Sequence, residues 1–118
     1  MKKIIILFIS VLFLTSCEKP TDKMVKYIAT DATAEYSITY RNAYGEIISE
    51  NIAAQSREDQ WTHSFAAEEG QILYLSGIYG DITSSLKLMI MIDGKIYKQA
   101  QSIGDTVRYL VVSGTVPY

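Results

Sequence analysis

Residues 86–99 have the sequence Leu-Lys-Leu-Met-Ile-Met-Ile-Asp-Gly-Lys-Ile-Tyr-Lys-Gln. Two segments with strand-forming residues, 86–92 and 95–99, flank the dipeptide Asp93-Gly94. Asp-Gly is a preferred centre for a two-residue type I′ turn, because both central residues of that turn must adopt positive φ. The segment therefore predicts an antiparallel β-hairpin that turns at residues 93–94.

The segments before and after this hairpin also show strand patterns. Apolar and polar side chains alternate over residues 32–41, which indicates a half-buried strand. Its apolar face carries Ala32, Ala34, Tyr36, Ile38 and Tyr40. A turn at residues 42–46 contains Asn and Gly and leads to a return strand at 47–51. Further strands are expected at residues 61–65, 71–79 and 106–113, whereas residues 53–60 are polar and show no period.

These patterns predict the fold class. After the N-terminus no segment shows a sustained period of 3.6 residues, so helices are not expected. About seven short strands, with turn signals every 8–12 residues, are typical of an antiparallel sandwich. We therefore expect an all-β protein, a small antiparallel β-sandwich of the immunoglobulin-like kind, formed by a single domain.

The N-terminus has the pattern of a bacterial export signal. Lys2 and Lys3 precede an apolar segment of about 11 residues, which is the length of a signal-peptide core. A membrane-spanning helix needs roughly 20 apolar residues, so this segment is too short for one. Leu14-Thr15-Ser16-Cys17 resembles the lipobox of bacterial lipoproteins, a branched apolar residue and two small residues before the cysteine. An ordinary signal peptide followed by an unrelated cysteine is the alternative.

The lipobox implies a division of the chain and a location. We expect a lipoprotein signal peptide over residues 1–16, a lipidated cysteine and polar tether over 17–23, and the β-sandwich domain over 24–118. Cys17 would carry a diacylglycerol group and a further acyl chain such as palmitate, which together give an anchor that hardly dissociates. The protein is then expected in the cell envelope, at the outer membrane, on either the periplasmic or the surface side.

Composition excludes two classes of partner. The chain has 11 Lys and Arg against 13 Asp and Glu, and loss of Lys2 and Lys3 with the signal leaves 9 against 13, a net charge of −4. An acidic domain without a basic patch is a poor binder of nucleic acids and of anionic lipids. Cys17 is the only cysteine, so no disulfide is predicted.

The sequence offers no arrangement typical of a catalytic or metal site, and we expect neither an enzyme nor a cofactor. The only histidine, His63, lies on the same strand face as Trp61 and Phe65, so it is expected to pack beside them. The acidic pairs Glu58-Asp59 and Glu68-Glu69 are adjacent residues, which on a strand point to opposite faces. No Gly-x-Ser-x-Gly motif, phosphate-binding glycine loop or calcium loop is present.

Tyrosines are the better candidates for a binding surface. The chain contains 9 Tyr, whose flat rings with polar tips suit both sheets and binding surfaces. Tyr36, Tyr40 and Tyr74 are expected in the core because they lie in apolar-face register. Tyr44, beside Gly45, and Tyr79, beside Gly80, are expected to be exposed and are the candidate binding residues. Alternatively, the tyrosines serve only as strand-forming residues.

Residues 25–114 resemble the MmpS-like small membrane proteins. The matching residues are Val25, Tyr27, Ala34, Tyr36, Ile38-Thr39-Tyr40, Asn42, Gly45, Trp61, Phe65, Gly70, Leu73, Leu75, Ile90, Ile92-Asp93-Gly94-Lys95, Ser102 and Gly104. The resemblance implies a compact exported β-sandwich. It also implies an accessory role beside RND-type transporters, which move lipids or siderophores across the envelope.

Three functions therefore stand as hypotheses. The first is a membrane-anchored, non-enzymatic binding or scaffold module that contacts an envelope protein or a glycan. The second is the accessory subunit of an RND-type transporter. The third is an enzyme inhibitor that uses the loop at residues 53–60 as a plug.

Overall fold

A computed structural model describes residues 22–103 and 109–117. Every regular element in this part of the chain is a β-strand: β1 (Lys23–Thr30), β2 (Tyr36–Arg41), β3 (Ile47–Ile52), β4 (Trp61–Ala67), β5 (Ile72–Tyr79), β6 (Ser85–Ile92), β7 (Lys95–Ile103) and β8 (Tyr109–Thr115). The predicted signal peptide, Cys17 and most of the predicted tether lie outside the described residues, as do residues 104–108.

The strands form two four-stranded sheets in which every pairing is antiparallel. Sheet 1 has the order β4-β1-β6-β7, and sheet 2 has the order β3-β2-β5-β8. The inward faces of the two sheets form one apolar core, whose fully buried side chains include Tyr27, Ile38, Leu75, Leu88 and Ile90. The prediction of a small antiparallel β-sandwich is confirmed.

The predicted hairpin joins β6 and β7. Asp93 has φ 52° and Gly94 has φ 83°, as a type I′ turn requires. Asp93 also anchors the turn to the neighbouring strand, since its amide donates to the Met24 carbonyl at 2.8 Å and its carboxylate accepts from the Met24 amide at 2.9 Å. The turn thus sets the register of β6 and β7 up to the shift between Ile90 and Met91.

The eighth strand is β1, which the strand pattern did not predict. It lies in the middle of sheet 1, between β4 and β6, and Val25, Tyr27 and Ala29 point into the core. Its alternation is interrupted by buried Ile28 and Thr30 on the opposite face, and it directly follows a charged segment. A period-2 pattern is weak where both faces of a central strand are covered.

The strand predicted from residue 32 begins later, at Tyr36. The Thr33 amide donates to the Ser84 hydroxyl at 3.0 Å, which holds this segment against the β5–β6 connection. Ala32 is still buried although residues 33–34 form a bend. The apolar alternation at residues 32–34 therefore arises because this bend packs on the core, and not because the segment pairs with a neighbouring strand. The other predicted strands and the irregular segment at residues 53–60 agree with the structure within a few residues, and the last strand is described from Tyr109 onward.

Candidate binding face and cleft

The outward face of sheet 2 is almost uncharged, and we refer to it as the neutral face. Its side chains are Ser37, Thr39, Arg41, Ile47, Ser49, Asn51, Ile72, Tyr74, Ser76, Ile78, Tyr109, Val111, Ser113 and Thr115. Among these side chains only Arg41 carries a charge. Its guanidinium lies beside the turn that contains Gly45, since Nη2 is 3.0 Å from the position that a Cβ on Gly45 would take. The face therefore presents hydroxyl, amide and apolar groups to the outside.

Several large apolar side chains of the neutral face are exposed. Ile47, Ile72, Ile78, Tyr109 and Val111 are all more than 40% accessible, with Tyr109 at 53%. They are five of the nine large apolar side chains that are exposed among the described residues. Exposed apolar side chains that are concentrated on one face of a small protein indicate a binding surface. The neutral face is therefore the candidate site.

Hydroxyl groups cross the neutral face in hydrogen-bonded pairs. The Ser37 hydroxyl donates to Asn51 Oδ1 at 2.6 Å, and the Thr39 and Ser49 hydroxyls lie 3.0 Å apart. The Ser76 hydroxyl donates to the Thr39 carbonyl at 3.4 Å. Cross-strand pairs of this kind hold their side chains in fixed positions. A partner would meet a pre-ordered surface, which lowers the entropic cost of binding.

Tyr74 and Tyr109 form a phenol pair on the same face. Hydrogen bonds with the Ser76 and Tyr109 hydroxyls lower the pKa of Tyr74, whereas the hydrogen bond with Tyr74 raises the pKa of Tyr109. The expectation that Tyr74 is in the core is wrong. Leu73 and Leu75 take the inward positions of β5, so the intervening Tyr74 points outward and is partly exposed.

A cleft of about 720 Å³ opens at one end of the neutral face. It is lined by Glu35, Tyr36, Ser37, Ile78, Tyr79, Gly80 and Tyr109. Tyr109 opposes Ile78 in register, and Ile78 opposes Ser37, so these three side chains form one row across β8, β5 and β2. Among the described residues of the lining, Glu35 alone is charged. A volume of several hundred Å³ is in the range of small-molecule sites.

The two tyrosines predicted to be exposed differ in outcome. Tyr44 is 87% exposed at the β2–β3 turn, where the Asn42 side chain accepts hydrogen bonds from the amides of Tyr44 and Glu46. The expectation for Tyr79 is wrong, because it is only 3% exposed. It continues the inward register of β5, and its hydroxyl lies 2.6 Å from that of Ser102. Tyr79 contributes to the wall of the cleft but cannot offer a ring face to a partner.

Tyr36 and Tyr40 are buried, as expected. Burial raises the pKa of Tyr36 to about 12, with a smaller contribution from the charge of Asp59. Burial also raises the pKa of Tyr40, and a hydrogen bond of 3.0 Å from its hydroxyl to Glu50 acts in the same direction. Both phenols are therefore held in the neutral form.

His63 packs among aromatic rings on the opposite side of the sandwich from β7 and β8. Its ring centroid lies 4.8 Å from that of Tyr40, 5.6 Å from that of Phe65 and 6.3 Å from that of Trp61. The prediction that His63 packs beside both neighbouring aromatic residues is confirmed. Glu50 borders this cluster, since one carboxylate oxygen accepts from the Tyr40 hydroxyl and the other from Trp61 Nε1 at 3.3 Å.

The loop at residues 53–60 is held by hydrogen bonds of its own. The Asp59 carboxylate accepts from the amides of Gln55 at 2.8 Å and Ser56 at 3.3 Å, and the Arg57 carbonyl accepts from the Asp31 amide at 3.3 Å. The acidic pair Glu58-Asp59 is thus divided, because Asp59 organises the loop while Glu58 is exposed. The Asp59 carboxylate therefore stabilises the conformation of this loop.

The described residues contain neither a cluster of metal-ligating side chains nor a helix that could span a membrane. Nowhere in residues 22–103 and 109–117 do three or more His, Cys, Asp or Glu side chains come together as metal ligands could. The same residues contain no helix with the length and apolar character that crossing a membrane would need.

Comparison with protein-family models and with curated proteins finds no match to the chain. The resemblance to the MmpS-like proteins therefore stays a prediction.

Proposed function

We propose that the protein is a lipoprotein of the cell envelope, anchored through Cys17 at the outer membrane, and that its β-sandwich is a non-enzymatic binding or scaffold module. The neutral face is the surface through which it contacts its partner. The lipobox pattern motivates the anchor, and the chemistry of sheet 2 motivates the binding role.

The observation that carries the binding role is the contrast between the neutral face and the rest of an acidic domain. Charged side chains on the surface keep a domain soluble. The neutral face has only one charged side chain, so its composition is better suited to contact with a partner than to solubility. Complete burial of an Ile or Val side chain contributes about 1.5–3 kcal/mol. The exposed side chains of the neutral face are about half accessible, so burial of the remaining surface of each contributes a part of that value, and several of them together support a specific contact. Hot spots in interfaces commonly contain such tyrosines.

Photo-cross-linking in the native bacterium tests the binding role. A photoreactive phenylalanine derivative replaces Val111 on the neutral face, and a matched variant carries it at Gln99, an exposed position on β7 of sheet 1. We expect a discrete product of higher mass from the Val111 position and none from Gln99. No product at Val111, or equal products at both positions, would contradict the proposal.

The two other functions stay predictions. An accessory subunit of an RND-type transporter would give a Val111 product that contains a transporter component. If the protein is an inhibitor that acts through residues 53–60, replacing this loop by Gly and Ser should abolish inhibition of the target enzyme. If it acts through the neutral face, the same replacement should leave partner binding unchanged.

A further inference from the structure

We propose that the cleft beside Tyr109 is a saccharide-binding site that takes an uncharged oligosaccharide. This inference rests on the proposed function, because it names the ligand class of the same face. It is carried by three observations: an exposed aromatic ring, a carboxylate with neighbouring hydroxyl and amide groups, and a lining whose described residues include no cationic side chain.

The ring of Tyr109 provides the apolar contact. It is 53% exposed, lies opposite Ile78 in the sheet register, and forms a wall of the cleft. The C–H face of a pyranose ring packs on such a ring, and tyrosine gives this contact with few rotatable bonds.

Glu35 provides a strong acceptor for hydroxyl groups. Its side chain is exposed at the cleft and makes no hydrogen bond or ion pair with the described residues. A carboxylate has two oxygens and accepts from two neighbouring hydroxyls at once, as the adjacent hydroxyls of a sugar ring require. Ser37 and Asn51, already bonded to each other at 2.6 Å, extend this polar edge along the same row.

Charge limits the class of sugar. The described residues of the lining include one carboxylate and no Lys, Arg or His, and the mature chain is acidic. Phosphorylated, sulfated and uronic sugars would each place a negative charge near Glu35 without a cation to offset it. An uncharged sugar meets no such repulsion.

The shape of the site favours a short chain of sugars over a single one. The cleft of about 720 Å³ continues into the row that runs from Tyr109 through Ile78 and Ser37 to Asn51. This row crosses four strands, so it is about 14 Å long at the usual strand spacing. A ligand that starts in the cleft can thus continue over the hydroxyl pairs of the neutral face.

Calorimetric titration of the full chain tests the site. The protein is kept in a detergent without a sugar headgroup, since a glycosidic detergent would compete. The probes are maltohexaose, cellohexaose, xylohexaose and chitohexaose, with polygalacturonate fragments as the charged comparison. We expect at least one uncharged hexasaccharide to bind and the polygalacturonate fragments not to bind.

Variants assign the binding to the cleft. Tyr109→Ala removes the ring and should weaken binding by about tenfold, whereas Tyr109→Phe keeps the ring and should largely preserve it. Glu35→Gln should weaken binding as well. Tyr44→Ala is the matched control, because Tyr44 is exposed but lies at the β2–β3 turn, outside the cleft lining.

Three results would overturn the inference: no binding of any uncharged probe, binding that Tyr109→Ala leaves unchanged, or preferential binding of the polygalacturonate fragments. The proposed function is judged separately. A protein product at the Val111 position together with no saccharide binding would refute this site and leave the binding module in place.

Discussion

The Tyr97 hydroxyl donates a hydrogen bond of 2.8 Å to the Thr115 carbonyl, which links β7 at the edge of sheet 1 to β8 at the edge of sheet 2. Tyr97 reaches across because the register of β6 and β7 shifts between Ile90 and Met91 and leaves Tyr97 as the extra residue of a bulge. This side chain closes one side of the sandwich. The aromatic cluster of Tyr40, Trp61 and His63 packs at the side where β3 and β4 are the edge strands.

The first prediction concerns Tyr97 and Gly114. A Cβ added at Gly114 would lie 2.7 Å from the Tyr97 hydroxyl oxygen, so Gly114→Ala should lower the free energy of unfolding by about 1–3 kcal/mol. Tyr97→Phe removes only the hydrogen bond and should cost about 1 kcal/mol. Urea denaturation of Tyr97→Ala, of Gly114→Ala and of the double variant Tyr97→Ala/Gly114→Ala measures the coupling. If the two sites behave additively, they do not pack as described.

The second prediction concerns the β6–β7 turn. Gly94 has φ 83°, which a β-branched residue strongly resists, so Gly94→Val should lower the melting temperature by several degrees. Gly80→Val is the matched control, since Gly80 does not have a positive φ and a Cβ there would meet no atom of the described residues within 4 Å, as at Gly94. Equal melting temperatures for Gly94→Val and the natural chain would mean that the turn is not type I′ in solution.

The third prediction concerns alkaline pH. Burial raises the pKa of Tyr27 and of Tyr36 to about 12 from an ordinary value of 10.0. Between these values the unfolded chain has lost these phenol protons while the folded chain still holds them. The unfolded state therefore binds fewer protons, and stability falls as pH rises from about 10 to 12.

Tyr36→Phe separates this effect from other alkaline effects. The Tyr36 hydroxyl makes no hydrogen bond with the described residues, so the variant should keep most of its stability at neutral pH and lose less of it above pH 10. Urea midpoints measured across this pH range for both proteins give the comparison. Parallel curves would show that Tyr36 ionises at its ordinary pKa in the folded state.

The fourth prediction uses the only tryptophan of the chain. Glu50 accepts from Trp61 Nε1 and from the Tyr40 hydroxyl, so Glu50→Ala removes the acceptor of both donors and should cost about 1–2 kcal/mol. Tryptophan emission should shift at the same time, because the indole loses its partner. Glu50→Gln keeps one carbonyl oxygen and should show a smaller change in both measurements; a spectrum unaffected by either substitution would contradict the contact.

Local chemistry made the fold class predictable, whereas the site depends on pairing between distant residues. Asp93-Gly94 predicts its own turn because both φ values are properties of two adjacent residues. The apolar segment from Ile72 to Leu75 gives no such indication, since both faces of β5 are apolar and only pairing with β2 and β8 shows that Tyr74 points outward and Tyr79 inward.

The neutral face illustrates the same limit. Ser37, Ile78 and Tyr109 are far apart in sequence and become one row only through the order β2-β5-β8. The alternation of apolar and polar residues predicts which residues of a single strand share a face. It does not predict which faces of β2, β5 and β8 lie on the same side of the sheet. The scarcity of charged side chains on the neutral face can therefore be recognised only when the order of the strands in the sheet is known.

The last prediction concerns the anchor at Cys17. Cells grown with radiolabelled palmitate should incorporate the label into the protein, and Cys17→Ala, which offers no thiol to the lipid donor, should incorporate none. Cys17→Ala leaves the residues of the sandwich unchanged, so loss of the label would reflect the missing thiol alone. Protease added to intact cells then shows which side the domain faces. Digestion of the anchored protein would place the neutral face where it meets external glycans, protection until the envelope is opened would place it in the periplasm, and label in Cys17→Ala would contradict acylation of Cys17.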